Sequence, residues 1–280
     1  MKILHTLAEL RSWSRDAHLK RETVGLVPTM GALHAGHASL IRAAAATCQQ
    51  VAVSIFVNPT QFGPNEDFSR YPRTFDADCA LAQATGASAV FAPSVDELYP
   101  PAAATFVEVE GLSNRLDGLS RPGHFRGVAT VVAKLLIAAE PDRAFFGQKD
   151  AAQVSVLRRM ALDLRLASEI VVCPIVREAD GLGLSSRNIY LSPAERTQAL
   201  ALSRAVRKVE SLFTAGERNA SALLAAACAV LATEPEIRTD YLELVDWATL
   251  QPQATAASGN LFAVAAWVGA TRLIDNTILP

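Results

Sequence analysis

Two histidines lie three residues apart in the stretch PTMGALHAGHASL, which runs from Pro28 to Leu40. An alanine-rich segment follows them and predicts a helix that begins near His37. The amides and the positive dipole at a helix start favour an anion, and imidazoles can donate hydrogen bonds to phosphate oxygens. The spacing differs from the helical zinc pattern, and no third ligand accompanies His34 and His37. From spacing alone, a phosphate-binding turn and two loop histidines without function are equal alternatives.

Three further polar segments follow apolar runs: NPTQFGPNEDFSRYPRT, GQKDAAQ and READGLGLSSRN. In the second, Lys149 is a mobile cation suited to a polyphosphate, although a solvated helix start capped by Asp150 is an alternative. The third segment includes LSSR, whose two hydroxyls and one guanidinium can hold phosphate oxygens, and a flexible linker is its alternative. These three residues are Ser185, Ser186 and Arg187.

Two of the glutamines in these segments are candidates for substrate binding, Gln61 in the first and Gln153 in the second. Their neutral amides suit the hydroxyls or the carboxylate of a substrate, although a single glutamine is more often a surface residue. The chain contains neither GxGxxG nor GxxxxGK[ST]. These loops therefore do not indicate a dinucleotide-binding dehydrogenase or a P-loop enzyme.

Alternating strands and helices must position these segments. The runs TVGLVPT, VAVSIFV, ASAVFAP, RAFFG and EIVVCPIV predict strands, and HASLIRAAAATC, FDADCALAQATG, GVATVVAKLLIAAE and DAAQVSVLRRMALDL predict helices. This alternation predicts an α/β fold with a parallel sheet and helices on both faces. Ligands bind at the carboxyl ends of such strands, so we expect the four polar segments to converge on one site.

The pattern changes near residue 177. Two helical stretches, AERTQALALSRAVRKVESLFTAG and NASALLAAACAVLATE, are followed by three strand candidates, TDYLELVD, NLFAVAAWVG and TRLIDNTIL. Helices followed by strands predict a smaller α+β unit. We therefore expect two domains, residues 1–176 and 177–280.

Composition limits the partners. The chain has 280 residues, 50% hydrophobic and 19% charged, with a net charge of −2, which predicts a globular protein without a basic field for nucleic acid. Its apolar runs fall short of the roughly 20 residues of a membrane span. The four cysteines form no CxxC pair, and charge interrupts the first residues too early for a secretory signal. We expect a cytoplasmic protein with no nucleic-acid or membrane partner.

The ordered set of motifs resembles one family. LVPTMGALHAGH, VSIFVNPTQF, RYPRT, SRPGHFRGVATVVAKL, FFGQKDAAQ, READGLGLSSRNIYL and AAWVGATRLIDN run in order from one end of the chain to the other. Together they are similar to the pantothenate synthetase (pantoate–β-alanine ligase) family of the HxGH nucleotidyltransferase superfamily. The resemblance implies a Rossmann-like nucleotide-binding domain, a smaller carboxy-terminal domain, and a cytoplasmic homodimer.

The resemblance also implies an AMP-forming ligase that makes an amide bond. ATP, with Mg²⁺ on its phosphates, would adenylate pantoate, and the amine of β-alanine would then displace AMP. Positioning and electrostatics suit this chemistry, because two anions must be brought together.

The site residues implied by the resemblance fall into two groups. In the ATP group, His34, His37, Lys149 and Arg187 would be catalytic, with His37 the proton donor. Gln61 and Gln153 would hold pantoate, with Gln61 also near β-alanine. The long QFGPNEDFSRYPRT loop is expected to cover the intermediate, with Arg121 nearby. The ATP group comprises Met30, Gly31, Ala32, Leu33, His34, Ala35, Gly36, His37, Gly147, Gln148, Lys149, Asp150, Val176, Leu184, Ser185, Ser186 and Arg187.

One position departs from the family pattern. Members usually have Gly-Glu-Lys-Asp where this chain has Gln148 between Gly147 and Lys149. Glutamine keeps the shape and removes a negative charge, and we expect the site to function.

Two other hypotheses are compatible with part of the pattern. A simple HxGH nucleotidyltransferase would adenylate another substrate and stop there, but it does not explain FVNPTQF or the carboxy-terminal unit. A non-catalytic nucleotide-binding protein is disfavoured by the intact set of His34, His37, Lys149, Ser186 and Arg187.

Overall fold

The computed structural model describes residues 1–64 and 66–280, and the chain forms two compact units. The first unit comprises Met1–Gly147 and Val156–Cys173, and the second comprises Gln148–Ser155 and Pro174–Pro280. Asn65, in the loop predicted to cover the intermediate, lies outside the described residues.

A six-stranded parallel sheet forms the centre of the first unit, in the order β1-β4-β3-β2-β5-β6. Its central strands are rich in valine, as expected for strands covered on both faces. The predicted parallel sheet is therefore confirmed. The strands are β1 (Lys2–Leu4), β2 (Val24–Thr29), β3 (Gln50–Ile55), β4 (Ala89–Phe91), β5 (Arg143–Gly147) and β6 (Glu169–Cys173).

Helices pack against this sheet in two groups, α1 with α6 and α2 with α3. Val27, Val53, Val90 and Phe145 bury one face of the sheet in a cluster with residues of α2, including Ile41. The helices are α1 (Leu7–Leu19), α2 (Ala35–Thr47), α3 (Phe75–Thr85), α4 (Val95–Leu98), α5 (Asp117–Ser120), α6 (His124–Ala139) and α7 (Ala151–Asp163), whose first residues belong to the second unit.

The second unit packs two helices on an antiparallel sheet with the order β7-β8-β9, which confirms the predicted α+β unit. Ser192 caps α8 and accepts a hydrogen bond from the backbone N–H of Glu195 at 3.3 Å, with Pro193 at the first helical position. The elements are α8 (Pro193–Thr214), α9 (Ala220–Leu231), β7 (Ile237–Asp246), β8 (Asn260–Val268) and β9 (Thr271–Ile278).

The units divide at Cys173, a few residues before the expected boundary, and Gln148–Ser155 joins the second unit. Hydrogen bonds explain the latter assignment. Ser155 Oγ donates to the carbonyl of Trp247 at 2.5 Å, and Trp247 Nε1 donates to the carbonyl of Ala151 at 3.1 Å. Among the described residues, no helix is long and apolar enough to cross a membrane.

Candidate active site

The loop between β2 and α2 carries both predicted histidines, and side chains accept its backbone N–H groups. Asp78, on α3, accepts from Ala32 at 3.0 Å and from Leu33 at 2.7 Å, and it also accepts from the hydroxyl of Thr74 at 3.0 Å. Thr29 Oγ1 accepts from the N–H of Gly31 at 3.1 Å. Asp78 is only 2% exposed, so this buried carboxylate fixes the loop from within the fold.

The backbone turns sharply at Gly31 and Ala32, where φ is 81° and 49°. A Cβ at position 31 would lie 3.0 Å from Asp78 Oδ2 and 3.1 Å from Ile55 Cγ2, in addition to the strain of the left-handed conformation. Glycine at this position therefore allows the loop to approach Asp78 closely.

The two histidines cap α2 together. His34 is the N-cap and its Nδ1 accepts from the N–H of Gly36 at 3.1 Å, while His37 Nδ1 accepts from the N–H of His34 at 3.3 Å. The ring centroids lie 4.1 Å apart. Because each Nδ1 is an acceptor, each neutral ring carries its proton on Nε2. The N–H groups of His34 and Gly36 donate to the two imidazole rings. The hydrogen-bond donors at this helix start therefore include the Nε2–H groups of the rings as well as backbone N–H groups.

Gln61 lies in a 3-10 turn, Pro59–Gln61, and the buried Asn58 orients its amide. Asn58 Nδ2 donates to Gln61 Oε1 at 3.0 Å and to the carbonyl of Gly127 at 3.1 Å. Gln61 Nε2 donates to Met30 Sδ at 3.0 Å, which brings two predicted site residues together. A Cβ on Gly127 would lie 2.4 Å from the carbonyl oxygen of Thr60, so glycine permits α6 to approach this turn.

A buried polar network supports the same turn. His124 Nδ1 donates to the carbonyl of Gln61 at 2.9 Å, and His124 Nε2 accepts from Arg121 Nη1 at 3.0 Å. Arg121 also makes a bidentate ion pair with Glu66, at 2.7 and 2.6 Å. Burial and the adjacent Arg121 lower the pKa of His124 to about 4. Burial raises the pKa of Glu66, but its bonds and charge pairing with Arg121 outweigh this and leave that pKa below its usual value.

This network predicts an acid-sensitive fold. The unfolded chain protonates His124 near pH 6.5 and the folded chain near pH 4, so the unfolded state holds more protons between these values. The free energy of unfolding should therefore fall by roughly 3 kcal/mol as the pH falls through that window. Urea unfolding at several pH values should show this slope in the wild type and not in His124→Asn.

His5→Asn is the matched control for that experiment, because it replaces an exposed histidine outside this network by the same residue. The lowered pKa of Glu66 acts below its usual value of 4.5, so the slope between pH 4.5 and 6.5 reports on His124. Equal slopes in the wild type and His124→Asn would contradict this assignment.

In the second unit, the predicted GQKD segment forms a 3-10 turn, Gln148–Asp150, which leads into α7. Lys149 Nζ lies 3.9 Å from Asp150 Oδ1. Gln148 Nε2 donates to Asn276 Oδ1 at 3.3 Å, and the side chain of Gln148 is half-buried. Gln153 lies half-buried in the first turn of α7.

The contact with Asn276 predicts the effect of the usual family residue. Gln148→Glu would place a carboxylate against Asn276 Oδ1, so we expect a loss of about 1 kcal/mol in stability and no gain in adenylation. Thermal unfolding and pyrophosphate exchange would measure both. Gln148→Ala is the matched control, because it removes the bond without adding charge. A rise in adenylation by orders of magnitude in Gln148→Glu would refute the expectation.

The SSRN segment forms a second 3-10 turn, Ser186–Tyr190, in the same unit. Ser185 caps it by accepting from the N–H of Arg187 at 3.2 Å. Asn188 is buried and donates to Glu178 Oε1 at 2.7 Å and to the carbonyl of Gly183 at 3.0 Å. The turn is therefore fixed from its buried side, and Ser185 has a capping role that the sequence analysis did not include.

Val176 and Leu184, two more residues of the predicted ATP group, are joined by a backbone hydrogen bond. The carbonyl of Val176 accepts from the N–H of Leu184 at 2.9 Å, so these two predicted residues are neighbours. The predicted residues divide between the units: Met30–His37, Gln61 and Gly147 lie in the first, and Gln148–Asp150, Gln153, Val176 and Leu184–Arg187 lie in the second.

Sequence reasoning missed the residues that hold these loops. Asp78 lies in FDADCALAQATG, which the sequence predicts only as a helix, and Asn58 and His124 lie in the motifs NPTQF and SRPGHF, where they received no role. One signal for such supporting residues was the Asp-Asn pair inside the predicted strand TRLIDNTIL, because polar residues inside a buried strand require hydrogen-bond partners.

A cavity of about 350 Å³ lies in the first unit beside this loop. Its lining follows the ends of β2, β3 and β4 and includes Met30, Gly31, Phe56, Phe68, Arg73 and Asp78. This is the edge of a parallel sheet at which ligands bind. Among residues 1–64 and 66–280, no group of three or more His, Cys, Asp or Glu side chains could hold a metal ion.

The solved structures that resemble the whole chain include these two. One is a pantothenate synthetase from Thermus thermophilus, with a TM-score of 0.94, 46% identity and coverage of 100% of both chains. The other is a pantoate–β-alanine ligase from Francisella tularensis, complexed with beta-gamma ATP and β-alanine, with a TM-score of 0.81, 32% identity and coverage of 99% and 97%.

Sequence comparisons agree with the structural ones. A pantothenate synthetase from Acidobacterium capsulatum is 60% identical over 290 residues, which cover 100% of this chain and 97% of that protein. One from Koribacter versatilis is 54% identical over 279 residues, with coverage of 100% and 96%. The family model for pantoate–β-alanine ligase matches residues 2–278. The chain therefore belongs to the pantoate–β-alanine ligase family, whose members form an amide bond.

Proposed function

We propose that the protein condenses pantoate with β-alanine through a pantoyl-adenylate intermediate. The observation that best supports this is the pair His34 and His37, whose Nδ1 atoms both accept backbone N–H groups. Each neutral ring thereby carries its proton on Nε2 at the start of α2, where helix dipole and imidazole donors act on an anion together. We infer the substrates from the similarity of the whole chain to pantothenate synthetases.

In the first step, a carboxylate oxygen of pantoate attacks the α-phosphorus of ATP, and the bond to the β-phosphate breaks to release pyrophosphate. Negative charge grows on the α-phosphoryl oxygens and on pyrophosphate. The Nε2–H groups of His34 and His37 would stabilise that charge, with His37 donating a hydrogen bond to the departing oxygen. Lys149 and Arg187 would neutralise the polyphosphate.

In the second step, the amine of β-alanine attacks the activated carbonyl carbon and loses a proton, and AMP leaves with both electrons of the broken C–O bond. Adenylation is required because a carboxylate has no good leaving group. A site that excludes water during this interval protects the intermediate from hydrolysis. The QFGPNEDFSRYPRT loop, whose Glu66 pairs with Arg121, is proposed for that role.

Gln61 is proposed to hold pantoate. Asn58 fixes its Oε1, while its Nε2–H groups point to Met30 Sδ, a weak acceptor. A hydroxyl or carboxylate of pantoate is a better acceptor and would replace the thioether. Gln153 is proposed as the second amide. A site built this way discriminates against acids that lack the hydroxyls, because its amides would stay unpaired.

ATP is proposed to bind through Met30–His37, Gly147–Asp150, Val176 and Leu184–Arg187. Mg²⁺ is expected to enter with ATP, since it is usually held by phosphate oxygens and water with one or two carboxylates. Asp150 is a carboxylate of the right donor type beside Lys149. Bound there, Mg²⁺ would withdraw charge from the phosphates. We also propose a cytoplasmic homodimer, which the resemblance to the family supports.

Pyrophosphate exchange tests the proposal. Labelled pyrophosphate should enter ATP only when pantoate is present, and adding β-alanine should yield pantothenate and AMP in equal amounts. A simple nucleotidyltransferase would release pyrophosphate without consuming an amine. Absence of pantoate-dependent exchange would refute the proposed function, and His37→Ala that complements a pantothenate auxotroph fully would remove His37 from it.

A further inference from the structure

Strand β9 buries two consecutive polar residues. Asp275 is 4% exposed and Asn276 is 3% exposed, in a strand that pairs only with β8 in its sheet. Burial of a carboxylate and an amide is unfavourable unless both are fully hydrogen-bonded. The partners of both residues lie in the two loops of this unit that are proposed to bind phosphate.

Asn276 holds the turn that carries Lys149. Its Nδ2 donates to the carbonyls of Gln148 at 3.0 Å and of Lys149 at 2.8 Å, and its Oδ1 accepts from Gln148 Nε2 at 3.3 Å. The two carbonyls lie on either side of the Lys149 Cα. Fixing both peptide planes fixes the direction in which the lysine side chain leaves the backbone.

Asp275 holds the loop that leads to the SSRN turn. It forms a bidentate ion pair with Arg177, with distances of 2.7 and 2.9 Å, and Arg177 Nη1 also donates to the carbonyl of Gly181 at 3.2 Å. The backbone of Arg177 is bridged to Gly183 in an antiparallel manner. The guanidinium therefore clamps both sides of the 177–183 loop, and the chain continues directly into Ser185.

We propose that Asp275 and Asn276 are positioning residues for ATP: Asn276 orients Lys149, and Asp275 orients the SSRN turn through Arg177. This inference rests on the proposed function, because it assumes that Lys149 and Arg187 face the phosphates. Because adjacent residues of one rigid strand make both contacts, the two cationic loops share a single support. Phosphate transfer tolerates little error in such geometry, and a displacement of about 1 Å can lower the rate about 100-fold.

The test measures pantoate-dependent pyrophosphate exchange with purified full-length variants. Asn276→Ala should raise the KM for ATP or lower kcat by about 10- to 100-fold while the KM for pantoate stays unchanged. In a Lys149→Ala background, the same change should cost no more than about 2-fold, because Asn276 acts through the lysine. Arg177→Lys, which cannot form the bidentate pair, should show the corresponding loss, which should shrink in an Arg187→Ala background.

Two variants guard against a merely structural effect. Thr277 lies on the same strand as Asn276, and Thr277→Val removes its hydrogen bond to Glu210. This variant should have a lower melting temperature and an unchanged KM for ATP. Gln148→Ala removes one hydrogen bond to Asn276 from the loop side and leaves the strand intact. It should therefore lower pyrophosphate exchange several-fold even if Asn276→Ala does not fold.

An unchanged KM for ATP and unchanged kcat in Gln148→Ala and Asn276→Ala would overturn the proposal. The proposal would also be overturned if Asn276→Ala lowered exchange as strongly in the Lys149→Ala background as in the wild type. These outcomes differ from failure of the proposed function, in which the wild-type protein itself shows no pantoate-dependent exchange.

Discussion

His37→Asn is expected to lower pantoate-dependent pyrophosphate exchange by about 10²- to 10⁴-fold with little loss of stability. The Oδ1 of asparagine can occupy the position of Nδ1 and accept the N–H of His34, which His37 Nδ1 accepts at 3.3 Å. Nothing in asparagine reaches the position of Nε2, so the donor to the phosphate is lost. Exchange kinetics and thermal unfolding of the same preparation would measure both effects.

His37→Gln is the matched control because it exchanges the two roles. The amide of glutamine reaches the Nε2 position and can donate there, but it leaves the N–H of His34 without its acceptor. We expect a loss of about 1 kcal/mol in stability and a smaller loss of exchange than in His37→Asn. If His37→Asn exchanged pyrophosphate at the wild-type rate, the Nε2–H of His37 would have no part in adenylation.

The loop that carries His34 and His37 could be predicted from the sequence only in part. The helix after the histidines was predictable from local patterns, whereas the preference for an anion stays a prediction. The tautomer was not, because it depends on where backbone N–H groups of the folded loop point. His34 read as a loop residue beside a helix, whereas it is the N-cap of α2. Local spacing predicts residue types at a site, and folding decides which atom of each residue is presented.

Elements were predictable wherever the signal was local. Gly86 ends α3 in the left-handed conformation, with φ of 111°, and glycine is the residue that most often takes this conformation directly after a helix. The strands of the parallel sheet were predictable because valine-rich runs bounded by polar loops have few other solutions. The short strand β1 and helix α1 received no prediction, although Thr6 and Glu9 form a capping box at the start of that helix.

Contacts between distant segments were not predictable in this way. The bond from Asp275 to Arg177 joins residues 98 positions apart, and that from Asn276 to Lys149 joins residues 127 apart. In both cases the chain shows only a polar residue in an apolar strand. The assignment of Gln148–Ser155 to the second unit depends on such contacts, and a boundary drawn from composition could not include it.

Asp78→Asn is expected to lower adenylation by about 100-fold, because Asp78 fixes the loop that carries both histidines. Its two carboxylate oxygens accept from Ala32 at 3.0 Å and from Leu33 at 2.7 Å. An asparagine can accept one of these N–H groups, and its own amide then faces the other. The loop must shift to relieve that contact, and His34 follows Leu33 directly, so both imidazoles would move from the phosphate.

Asp78→Ala extends the test to stability, since it leaves two half-buried N–H groups without their acceptor, which costs at most about 1–3 kcal/mol each. Asp76→Ala is the matched control, because Asp76 lies exposed in the same first turn of α3 and contributes only to the helix dipole. Amide hydrogen exchange at Ala32 and Leu33 would report loop opening directly. Wild-type protection and wild-type pyrophosphate exchange in Asp78→Asn would show that the loop holds its shape without this carboxylate. Loss of both in Asp78→Asn, with neither lost in Asp76→Ala, would show that a residue of α3 sets the geometry of the histidine pair.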